Sequence, residues 1–155
     1  MRPFARSFRF ALRGIALCLR ERNFRFHIAL AAYMFGYLLA YDWFVLSRAQ
    51  WAALVLATAL VLGAEAVNTA IEAAVNLASP ARHPLAARAK DAAAGAVFLC
   101  ALGAVAAGVA LLYQPAAFRA LYLYYKQKPL MLLVLGISLT ATGLFVFPDY
   151  GKKGK

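Results

Sequence analysis

Four apolar stretches alternate with short polar ones along the chain: Ile28 to Leu39, carried on by Tyr41, Trp43 and Phe44; Trp51 to Leu77; Ala92 to Tyr113; and Leu130 to Phe147. Crossing about 30 Å of hydrocarbon takes about 20 apolar residues in a helix. The first stretch is somewhat short and the others reach or approach that length. The pattern therefore predicts spans over about 28–46, 51–77 and 90–113, and a further C-terminal one over about 130–147. Ahead of them, Phe4, Phe8, Ala11, Leu12, Ile15 and Leu19 recur at helical spacing on one face, while Arg2, Arg6, Arg9, Arg13 and Arg20 fill the rest. This predicts a helix over about 4–22 lying in the headgroup plane. An Arg-rich, acid-poor start also suits a cleavable targeting segment, but no continuous apolar core follows it. The expected fold class is an all-α integral membrane protein: an N-terminal amphipathic surface helix, three core transmembrane helices and a fourth C-terminal one.

The second stretch breaks its own pattern. Glu65, Asn68, Thr69, Glu72 and Asn76 fall within about 100° of one another on a straight helix, so its polar groups share one face. Such groups are costly to place in lipid without partners, and intramembrane ionisable residues mark function by default. The chain has only six acidic residues. Two of them, Glu65 and Glu72, lie in this stripe two helical turns apart.

Composition sharpens the picture: 65% of residues are hydrophobic, where soluble domains hold roughly 45–50%, and the mean hydropathy is +0.69. A net charge of +11 would suit nucleic acid in another context, but here Lys and Arg are placed for a membrane. With the N-terminus in the cytoplasm, thirteen of the 17 lie inside and four outside, as the positive-inside rule requires. The basic tail GKKGK then ends in the cytoplasm as well. No nucleic-acid partner is expected. Cys18 and Cys100 are expected to be reduced, buried thiols, and His27 and His83 to be structural residues at the interface.

The stripe has a chemistry. Two carboxylates on one face with an amide between them can hold a hard divalent cation by oxygen while leaving another carboxylate free to take a proton. Lys90 and Asp91 open the third span, and an ammonium beside a carboxylate-bound Mg²⁺ is what a polyphosphate needs. The clustering of Glu21, Arg25, Lys90 and Asp91 around the inner end of the stripe suits a substrate arriving from the cytosol. There is no Walker-type glycine loop. Two other readings of the stripe stand beside this one: a structural network in which Glu65 and Glu72 pair with Lys90 or Arg88, and a small pore, proton relay or scaffold.

The segments EAVNTAIEAAVNLASPARHPLAARAKDAAAGAV, Glu65 to Val97, and SFRFALRGIALCLRERNFRFH, Ser7 to His27, resemble the prokaryotic diacylglycerol kinase and undecaprenol kinase family over about residues 4 to 113. The spelling N-T-A-I-E and the S-P-x-x-H-P-L turn are more similar to the undecaprenol kinase branch. This resemblance implies a membrane lipid kinase domain over 1–113 and an extension over 114–155 about which it says nothing. It implies a homotrimer in the bacterial inner membrane, with sites at the cytoplasmic boundary between subunits. The implied reaction is Mg²⁺-dependent, direct in-line transfer of the γ-phosphate of ATP to undecaprenol or diacylglycerol. By the same resemblance, Glu65 is the general base, Glu72 and Glu21 hold Mg²⁺ with the ATP phosphates, Asn68 is an active-site amide, and Lys90 and Asp91 contact the nucleotide. Asn76 stands where the family pattern E-x-x-V-D has Asp, so an Asp there is expected to lower the Mg²⁺ requirement.

Overall fold

The structure, a computed structural model, describes residues 2–79 and 83–148. Among these residues all regular secondary structure is helical: α1 (Arg2–Cys18), α2 (Arg22–Ala40), α3 (Arg48–Ala78), α4 (Pro84–Leu112), α5 (Pro115–Gln127) and α6 (Leu130–Val146). The expected all-helical membrane fold is what the chain adopts.

The two longest helices form its axis. Ser47 caps α3, its hydroxyl accepting from the Gln50 amide while the Gln50 side chain accepts from the Ser47 amide, a reciprocal capping box. From there α3 runs 31 residues, about 46 Å at 1.5 Å per residue, so its ends reach past the hydrocarbon. His83 Nδ1 accepts from the Leu85 amide at 3.2 Å and Pro84 takes the first helical position of α4, where a missing N–H costs nothing. His83 is thus a helix cap, in keeping with a structural role. The two helices pack closely along their length. Ala93 and Val97 of α4, with Leu54 and Val61 of α3, are among the few buried apolar side chains, as expected where small residues let helices approach in lipid.

Among the described residues, only α3 and α4 are single helices long and apolar enough to cross a membrane; α5 and α6 make a third span only if counted together across their 105° bend. The segment expected to span at 28–46 is helical over Arg22–Ala40 instead. Arg22, Arg25 and His27 occupy its first turns, leaving 13 residues from Ile28 on, about 20 Å of helix. Its expected continuation is a loop: Tyr41 leaves the helix with extended backbone and stacks on Trp43 at 4.0 Å. The surface helix stops at Cys18 rather than reaching residue 22, because the chain turns at Leu19–Glu21 through short-range bonds. Its apolar face, including Phe4, Phe8, Leu12 and Ile15, is exposed, as a helix lying on lipid requires.

The sequence pattern did not predict α5. Its Tyr124 packs edge-on against Tyr41 and Trp43, and Tyr125 hydrogen-bonds the Tyr37 hydroxyl. Past the bend, α6 returns along α2, where Tyr33 meets Ser138 at 3.1 Å and Thr142 at 3.0 Å. The extension therefore wraps α2. The basic tail, whose cytoplasmic placement was expected above, lies outside the described residues.

Candidate active site

Among the described residues three polar side chains are buried: Arg25, Glu65 and Asn68. Two belong to the stripe. Glu65 is 3% exposed, and its Oε1 lies 3.6 Å from Nε2 of His27 on α2. One turn on, Asn68 donates through Nδ2 to Glu72 Oε1 at 3.1 Å, while its buried Oδ1 accepts no hydrogen bond. Glu21, at the N-cap of α2, makes no side-chain cap bond to its own helix and lines the same place. Together they border a cleft of about 380 Å³, with Glu21, Glu65, Asn68, Thr69 and Glu72 on its walls beside Arg20, Arg22 and Asn23.

Four expected site residues, Glu21, Glu65, Asn68 and Glu72, are thus brought together by one chain. The other three are not. Lys90 Nζ donates to Asn76 Oδ1 at 2.6 Å, an exposed link between α4 and α3, and Asp91 is exposed on α4; none of them borders the cleft. Arg25, grouped above with the substrate-facing charges, is buried and does not itself line the cleft. It donates to the carbonyls of Leu19, Arg20, Val146 and Pro148. His27 was taken as merely structural, yet it stands against the buried carboxylate. Arg20 was absorbed into the charged face of the surface helix and Arg22 was given no role; their place immediately beside Glu21 was the available signal.

The cleft's donors are hard oxygens. No group of three or more His, Cys, Asp or Glu among the described residues is placed to hold a metal alone, so the chain offers one or two carboxylates rather than a cage. That suits Mg²⁺, which keeps waters and takes much of its coordination from phosphate oxygens. The unpartnered Asn68 oxygen and the guanidinium groups nearby fit a phosphate-bearing substrate with a cation.

A buried carboxylate on a long apolar helix, with oxygen donors and arginines beside it, is an arrangement able to hold phosphate groups and a cation. The comparisons with known proteins make it specific. The family described as prokaryotic diacylglycerol kinase matches residues 9–112. The chain is 43% identical to the undecaprenol kinase of Bacillus subtilis over 102 residues, covering 64% of this chain and 79% of that one. It is 39% identical to the diacylglycerol kinase of a Synechocystis species over 111 residues, covering 70% and 62%. No solved structure matches. The chain belongs to the prokaryotic diacylglycerol kinase family, and it is a lipid kinase.

Proposed function

We propose that the chain transfers the γ-phosphate of ATP directly to the hydroxyl of a membrane lipid alcohol, undecaprenol or diacylglycerol, with Mg²⁺ required. The observation that carries this is the convergence of Glu21, Glu65, Asn68 and Glu72 on one cleft at the polar end of α3. Glu65 is the base: it takes the proton from the lipid hydroxyl as the oxygen attacks phosphorus, with His27 holding the carboxylate in place. Glu72 and Glu21 hold the cation, which supplies charge neutralisation between the phosphates. Asn68 fixes Glu72 through its amide and offers its free oxygen to the incoming ligands. Arg20 and Arg22 draw the phosphates in.

Lys90, Asp91 and Asn76 stand apart from this cleft within one chain. That separation supports a nucleotide site completed by a neighbouring copy, and we propose a homotrimer on this ground together with the resemblance. We also place the N-terminus and the cleft on the cytoplasmic side of a bacterial inner membrane that the chain crosses several times, following the distribution of Lys and Arg. A pore or proton relay draws less support, because the polar face stops at Glu65 and the next buried positions along α3 are Val61 and Leu54.

The test is a lipid panel. Purified protein in bilayers, given radiolabelled ATP and Mg²⁺ with undecaprenol, diacylglycerol or ceramide, should label at least one lipid. No labelled lipid from any of them overturns the proposal.

A further inference from the structure

The family match ends at residue 112, yet the last described residues reach the cleft. Phe147 and Pro148, at the end of α6, share its walls with Glu21, Glu65 and Glu72, and they are the apolar members of a wall otherwise made of charged and polar side chains. They are held there by construction. Arg25, 1% exposed, donates to Val146 O at 3.3 and 2.8 Å and to Pro148 O at 2.5 Å. Two further bonds, at 3.0 and 2.7 Å, go to Leu19 and Arg20 in the turn that carries Glu21. One guanidinium thus ties the end of the extension to the backbone that positions a proposed metal ligand. A positive group at the C-terminal end of α6 also meets the negative end of that helix's dipole. Phe147 as a residue stays 70% exposed, so its surface is accessible to a ligand.

We infer that the end of the C-terminal extension is a wall of the kinase cleft, and that Phe147 and Pro148 select the lipid acceptor. This rests on the kinase reading above. The hydroxyl must reach Glu65 among charges, while the carbons behind it need an apolar surface, and Phe147 with Pro148 supplies one. A single-chain alcohol presents a slender terminus to that surface. Diacylglycerol branches at the carbon next to its hydroxyl-bearing one, and an ester-bearing arm there meets the Phe147 ring. The wall therefore favours a single-chain prenyl alcohol and disfavours diacylglycerol. Discrimination by apolar shape alone is worth on the order of tenfold to a hundredfold.

The full-length protein is compared with Phe147→Ala and with Leu144→Ala, an equally exposed α6 position away from the cleft. Each is assayed with a prenyl alcohol and with dioleoylglycerol in the same bilayers. Phe147→Ala should shift the ratio of kcat/KM values toward dioleoylglycerol by about tenfold, with the KM for ATP unchanged, while Leu144→Ala leaves the ratio alone. A ratio unchanged within twofold in Phe147→Ala overturns the inference, as does an equal shift in Leu144→Ala. A second measurement needs no turnover. Benzoylphenylalanine at 147, but not at 144, should photocapture radiolabelled prenyl alcohol in competition with bulk phospholipid; equal capture at both positions also overturns it. Failure of the wild type to phosphorylate any lipid would instead strike the kinase reading itself.

Discussion

Arg25→Gln tests the join between the extension and the rest of the chain. The guanidinium makes five hydrogen bonds to four backbone carbonyls, and the glutamine amide has only two donors on a shorter stem. Both bonds to Val146 O are buried, and a hydrogen bond from a charged donor contributes about 1.5–3 kcal/mol. The other carbonyls are partly buried and recover some hydration. A net loss of about 3 kcal/mol follows, toward the lower end of what breaking a buried charged network costs. At 2–4 °C per kcal/mol for a chain of this size, the Tm in detergent should fall by roughly 6–12 °C. Arg25→Lys keeps the charge but not the planar fork, and should lie about halfway. Circular dichroism melts give the shift, and limited proteolysis at the bend near Lys128 reports undocking of α6. A Tm within about 2 °C of wild type, with no added cleavage at the bend, would refute the structural role assigned to Arg25.

Further outcomes follow from the cleft and its surroundings. Glu65→Gln should lower kcat by roughly 10²-fold or more while Mg²⁺-dependent nucleotide binding persists, whereas Glu72→Gln should weaken that binding; turnover close to wild type in an intact Glu65→Gln protein removes Glu65 from the role of base. Asn76→Asp should keep the fold, because the carboxylate retains Lys90 as an exposed partner worth about 0–1 kcal/mol, and should lower the Mg²⁺ needed for half-maximal activity. A Mg²⁺ titration showing no decrease would confine position 76 to joining α3 and α4. Burial, and then the charge of Glu21, push the Cys18 thiol above its ordinary range. In a Cys100→Ala background, maleimide labelling at pH 7 should therefore be slower than for a free cysteine and should accelerate as the pH rises past 9; labelling at the free-thiol rate would contradict the packing of α1 against the bundle.

What could be read from the sequence was whatever repeats at short range. Apolar runs without interruption announce α3 and α4, and the Arg and Phe alternation announces α1. The spacing of Glu65, Asn68 and Glu72 fixes their common face before any packing is known, since two helical turns return a side chain to the same side. The aromatic run after Leu39 misled because Tyr41 and Trp43 are as apolar as a helix continuation but stack on each other and on Tyr124 instead. Helix α5, opened by Pro115, has the mixed Tyr and Lys content of an interfacial segment and no long apolar run to reveal it. The partners of Arg25 and the placement of Phe147 depend on contacts more than 120 residues apart, and no local pattern encodes those. Nor did spacing distinguish His27, set against Glu65, from His83, which caps a helix.

That distance has a meaning in time. Arg25 and Val146 are 121 residues apart, so a ribosome adding about 5–20 residues per second needs roughly 6–24 s to make the second after the first. From Glu72 onward the carboxylates of the cleft have all been synthesised, yet one side of their chamber has not. A chain shortened by a late stop codon or by proteolysis keeps every residue of the family match but never acquires that side. Completion of the last helix thus separates a finished enzyme from a fragment that carries the same acidic groups with a different opening onto the lipid.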